Sequence, residues 1–192
     1  MFDLIAFLCL FRAMSSGELG KTVPLIAFTP IFLIGTAYLI NAELPSWLGA
    51  AGIVAIVAGA YLLRLDKIRE GLAGPFKSLF YERAPRYGLM AAFLFSFAAA
   101  FYKKATVSSS PYWTLFVTQF LAAGIVLVFQ FFRGWGREVH AKVWRNRRLV
   151  FFLGLATFFE GLCLMIAFGM AGGLTSYAIG VKRTSILFTI VM

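Results

Sequence analysis

The sequence predicts an all-α, polytopic transmembrane helical bundle of about seven spans. Three observations carry this reading. Of 192 residues, 61% are hydrophobic and 14% charged, whereas soluble domains run at about 45–50% and about 25%. The apolar residues gather into successive runs of roughly the length a bilayer core demands, about 20 residues per helix. The lysines and arginines behind the net charge of +10 fall mostly between those runs. There they meet anionic head groups and set topology, so nucleic acid is not the expected partner.

The first run, Met1 to Met14, is short for a span and carries Asp3 and Arg12. It reads as a helix entered partway along. The second runs from Val23 to Ile40 and contains Pro24 and Pro30. Pro24 sits in the first turn, where a missing N–H costs little. Pro30 lies near mid-span and removes the bond to the Ile26 carbonyl. The plain outcome is a kink; the functional one is a broken helix lining a cavity. The third run is Trp47 to Leu63. Its Ala51, Ala55 and Gly59 fall four apart, a spacing that reads as a close-packing face, with homodimerisation the less common alternative to intramolecular packing.

The fourth run, Tyr87 to Phe101, ends at Tyr102-Lys103-Lys104 and carries a second small-residue stripe, Ala92, Ser96 and Ala100. The fifth is Tyr112 to Phe132 and the sixth Leu149 to Ala171. Gly172-Gly173 makes a tight hairpin, and the seventh run starts near Leu174 and is still apolar at Met192. Two polar stretches, Arg64–Arg86 and Arg133–Arg148, interleave charges with Leu, Ile, Phe, Val and Trp. Both read as amphipathic segments in the head-group layer.

Fourteen lysines and arginines lie on the side reached after runs one, three and five; the opposite side has Lys103 and Lys104. The positive-inside rule makes the basic side cytoplasmic. Cys9 and Cys163 sit within apolar runs, and the single histidine, His140, sits in a basic loop. No disulfide framework, metal site, cofactor or catalytic triad is expected from that set.

Charges also fall inside the later runs: Glu160 at the centre of run six, and Lys182 and Arg183 in run seven. A carboxylate at that depth costs about 2.5–3.5 kcal/mol on insertion scales, so such residues usually mark pathways. At about 1.5 Å per residue, Glu160 lies roughly 18 Å and Arg183 roughly 15 Å from the Gly172-Gly173 turn. A Glu160–Arg183 or Glu160–Lys182 pair is therefore expected. It serves either as a structural ion pair or as a site in which the basic pair takes an anionic group and Glu160 carries a proton.

A faint repeat adds a constraint. Leu8-Cys9-Leu10 recurs as Leu162-Cys163-Leu164, and Ala13 matches Ala167, at an offset of 154 residues. Five spans per period invert the second copy across the bilayer, a plan common among secondary transporters.

The segment from Val23-Pro24-Leu25-Ile26-Ala27-Phe28-Thr29-Pro30-Ile31-Phe32 through Glu43, Leu48-Gly49 and Gly52 to Gly59-Ala60-Tyr61-Leu62-Leu63 resembles the end of an EamA-type repeat of the drug/metabolite transporter superfamily. Val181-Lys182-Arg183-Thr184-Ser185-Ile186-Leu187-Phe188 resembles the matching stretch of the second repeat in one branch. The resemblance covers nearly the whole chain and implies a ten-helix fold of two inverted five-helix halves. Residues 1–64 would then be the last three helices of the first repeat, 65–86 an amphipathic linker, and 87–192 the first four helices of the second. Helices one, two and ten would lie outside this chain. Well-known members place the linker outside the cytoplasm, whereas the charge distribution here places it inside.

The resemblance further implies a multi-pass protein of the cell membrane. It would move a small metabolite or drug-like solute by alternating access, with no enzymatic activity. The cavity would draw on runs one, two, four, six and seven. The candidate cavity or gating residues are Pro30, Glu160, Lys182 and Arg183, followed by Tyr177 and Gln119. Gln119 serves equally well as an interhelical hydrogen-bonding group. Two further readings are a membrane scaffold without transport and a flippase of lipid-linked sugars.

Overall fold

A computed structural model describes residues 2–15, 23–62, 83–133, 136–170 and 175–191. Their regular structure is helical throughout: α1 (Phe2–Ser15), a 3₁₀ segment η1 (Val23–Phe28), α2 (Thr29–Asn41), α3 (Trp47–Leu62), α4 (Arg83–Ser108), α5 (Pro111–Arg133), α6 (Gly136–Arg145), α7 (Arg147–Gly169) and α8 (Thr175–Val191). The all-α expectation holds. Most of the linker at 65–86 and the Gly172-Gly173 hairpin lie outside the described residues.

Among the described residues, two helices are long and apolar enough to cross a bilayer, Pro111–Phe132 and Arg147–Gly169; the apolar stretches Leu25–Asn41 and Trp47–Gly59 are shorter. The chain divides into two compact units. One comprises residues 1–104 with 172–192, the other residues 105–171.

In the first unit, run two is not one kinked α-helix. Its first six residues wind as 3₁₀, and α-winding starts at Thr29, which places Pro30 in the first turn of α2. A proline ring clashes with the carbonyl four residues back, so α-winding does not pass smoothly through it. The Ile26 carbonyl that Pro30 cannot serve is taken by the Thr29 hydroxyl at 2.6 Å. This is the side-chain repair that lets a proline persist where water is scarce. Leu25, Leu33, Thr29 and Pro30 are fully buried around the break.

α2 ends at Ala42, whose φ of 54° and ψ of 35° are left-handed and whose N–H donates to the Tyr38 carbonyl at 3.0 Å. A residue with a Cβ in that region stores about 1 kcal/mol or more of strain. Glycine is the usual residue at such a left-handed helix end; here it is alanine.

Aromatic contacts join α1 and α2 to α4. Phe2 stacks on Phe97 at 5.6 Å and on Phe101 at 5.7 Å, Phe7 meets Phe95 edge-on at 5.1 Å, and Phe32 meets Phe93 edge-on at 5.5 Å. Ala92, Ser96 and Ala100 are fully buried, as their stripe predicts. The stripe on α3 behaves differently: Ala51 and Ala55 are exposed. The packed face carries Ile53, Gly49, which lies against Tyr177, and Ile56, which lies against Gly180. The helix is apolar all round, so small-residue spacing alone cannot single out the buried face.

Run four extends past its predicted end. α4 continues through Lys103 and Lys104 to Ser108, and α5 opens at Pro111. Hydropathy reports where the apolar slab ends, whereas the helix stops where Ser109, Ser110 and Pro111 break the backbone pattern. In the second unit α5 packs along α7. Thr106 donates to the Met165 sulfur at 3.4 Å, and a Cβ on Gly169 would stand 2.9 Å from Pro111. The polar stretch after α5 does form a helix, α6, which meets α7 at Asn146. Every described side chain from Ala141 to Glu160 is exposed. A long run of exposed apolar residues such as Phe151, Phe152, Phe158 and Phe159 suits a lipid-facing surface.

Candidate functional site

The polar groups of the first unit form clusters at different depths along the helices. At the break between η1 and α2, the Arg183 Nη2 of α8 donates to Thr29 Oγ1 at 3.4 Å, and its guanidinium carbon lies 5.9 Å from the centre of the Phe95 ring. Thr29 thus uses its hydrogen on Ile26 and its lone pair on Arg183. A part-buried cation gains from such partners, because they offset the desolvation it suffers. The aromatic face adds about 0.5–2 kcal/mol.

Towards the α4 C-terminus, Tyr102 hydrogen-bonds Asp3 of α1. Lys182 of α8 lies within electrostatic reach of that carboxylate.

At the end of the unit, Glu43 joins three elements. Its Oε1 pairs with Lys103 Nζ at 2.6 Å, the two side chains being 15% and 12% exposed. Its Oε2 accepts from the Thr175 N–H at 3.2 Å and the Thr175 hydroxyl at 2.9 Å. A carboxylate at a helix N-terminus meets the unpaired first-turn N–H groups and the positive end of the helix dipole. Asn41 donates to the Ala100 carbonyl at 3.0 Å, and the Tyr177 hydroxyl receives the Ser46 N–H at 2.9 Å and meets its Oγ at 2.8 Å.

Pro30, Lys182, Arg183 and Tyr177 therefore lie in one unit. Arg183 sits against the break that contains Pro30. Tyr177 secures the start of α3 rather than standing beside that break. Arg183, predicted to face Glu160, is engaged by Thr29 and Phe95 of its own unit. Glu160 and Gln119 are exposed residues of the second unit, on α7 and α5.

Thr29, Phe95, Asn41, Asp3, Tyr102 and Glu43 were not among the residues expected at the site. Two signals were available. Thr29 directly precedes a proline and can serve a carbonyl three residues back. Glu43 and Lys103 carry opposite charges on the side where charges are scarce.

No curated protein and no solved structure matches the chain. Residues 1–65 match the model of the EamA-like transporter family. That stretch holds the broken helix, Thr29, Pro30 and Glu43. Over residues 1–65, about a third of its length, the chain is similar to the EamA-like transporter family.

Proposed function

We propose that this chain is a multi-pass secondary transporter of the drug/metabolite transporter superfamily. It moves a small solute through the membrane by alternating access, and the solute carries an anionic group bound at Arg183. The observation that carries this reading is Arg183 itself. A guanidinium on an apolar helix lies against Thr29 and Phe95 beside a helix broken at Pro30. Broken helices with polar groups near the midplane are where secondary transporters bind their solutes.

The spacing of the contact supports an inverted repeat. Thr29 and Arg183 are 154 positions apart, the same offset that relates Leu8-Cys9-Leu10 to Leu162-Cys163-Leu164. Residues nearest an in-plane two-fold axis meet their own equivalents. Seven spans and a cell-membrane location belong to the same proposal. So does contact of α6 with anionic head groups: Arg147 stacks on the exposed Trp144 at 5.6 Å, an arrangement suited to the interface.

The test is uptake by purified protein in liposomes, comparing labelled small carboxylates and phosphate monoesters with neutral and cationic solutes of matched size. Arg183→Ala is expected to lower anion uptake at least tenfold, and Arg183→Lys to retain part of it. Uptake that ignores charge, or that survives Arg183→Ala, overturns the assignment.

A further inference from the structure

We infer that Glu43 is the latch of a gate at the end of the first unit where α2, α3, α4 and α8 converge. The inference rests on the transport reading and extends it from where a solute binds to what shuts it in.

One carboxylate ties three elements. It extends from the α2–α3 connection, pairs with Lys103 of α4 at 2.6 Å and receives the first N–H and the hydroxyl of α8 at Thr175. Asn41 and Tyr177 close the same end, binding α4 and the start of α3. Thr175 and Arg183 are eight residues apart on α8, about 12 Å along the axis. The latch thus stands between Arg183 and the end of the helices.

Its chemistry suits a reversible contact. The aromatic joints between α1 and α4 are apolar, built from Phe2, Phe7, Phe95 and Phe97, and separating them would expose more of their surface. Glu43, Lys103 and Thr175 are joined instead by an ion pair and hydrogen bonds, which water can replace once the gate opens. The residue before Glu43, Ala42, is held at φ 54°. Such strained positions in an L-residue persist when surrounding contacts hold them, and they cluster at switching segments.

The experiment reads accessibility and needs no known solute. A cysteine replaces Ser176, which is buried one residue past Thr175, in a Cys9→Ser, Cys163→Ser background. A control replaces Thr114, buried in the second unit. The full chain in nanodiscs is labelled with a charged maleimide. Glu43→Ala is expected to raise the labelling rate at position 176 at least tenfold, Glu43→Gln and Lys103→Met by less, with position 114 unchanged. Unchanged labelling at 176 in all three variants overturns the latch. A parallel rise at 114 also overturns it, because Glu43 is then a staple of the whole fold. Loss of uptake dependence on Arg183 with intact latch behaviour rejects the transport reading and leaves the gate; the converse rejects the gate alone.

Discussion

Replacing Thr29 by valine keeps the side-chain volume and β-branching while deleting one oxygen. Thr29 is 1% exposed, and its hydroxyl serves the Ile26 carbonyl at 2.6 Å. Leaving a buried carbonyl unserved costs about 1–3 kcal/mol, while side-chain hydrogen bonds measured in a bilayer average about 0.6 and reach about 1.7 kcal/mol. The Arg183 contact, at 3.4 Å, is long and adds little. Thr29→Val is therefore expected to destabilise the protein by about 1–2 kcal/mol. This cost traces to the N–H that Pro30 lacks. Pro30→Ala restores that N–H, so Thr29→Val in the Pro30→Ala background should cost less than about 0.5 kcal/mol, a coupling a double-mutant cycle measures directly. The assay is reversible unfolding in mixed micelles titrated with dodecyl sulfate, followed by far-ultraviolet circular dichroism. An equal cost in both backgrounds would falsify the repair of the Ile26 carbonyl by Thr29.

Two glycines give packing predictions. A Cβ on Gly49 would overlap the Tyr177 ring, whose hydroxyl is fixed by Ser46, so Gly49→Ala should cost about 1–3 kcal/mol through overpacking. In a Tyr177→Phe background the untethered ring can swing aside and the same substitution should cost less; unfolding midpoints of the four variants decide this. A Cβ on Gly169 would meet Pro111 at 2.9 Å and Thr106 at 3.5 Å. Gly169→Leu should therefore lower the melting temperature, with proteolysis concentrated in the second unit. A melting temperature equal to that of the parent refutes the close approach of α7 to Pro111.

Much of this was legible in the residues. The runs around Pro111–Phe132 and Arg147–Gly169 announce their helices through length and apolarity. Pro30 announces a freed carbonyl at Ile26, and Lys182 and Arg183 stand out because charge is expensive in an apolar run. The rest was hidden for physical reasons. Ala51 and Ala55 have the spacing of a packing face, yet the buried face of α3 carries Gly49 and Ile53, because a uniformly apolar helix has no contrast to read. Glu43, Lys103 and Thr175 are far apart in sequence, and no local pattern couples them.

The sequence by itself determined that the chain is helical and built for an apolar environment, since composition and run length leave its backbone no other economical way to satisfy its polar groups. It also marked where a proline must interrupt α-winding. Tertiary structure alone decided how that interruption is used. It set Thr29 between the freed Ile26 carbonyl and Arg183, and it made Glu43 the shared partner of α4 and α8. Hydrogen bonds and ion pairs act over a few ångströms in space, and only folding brings residues separated by 59 to 154 positions within that range.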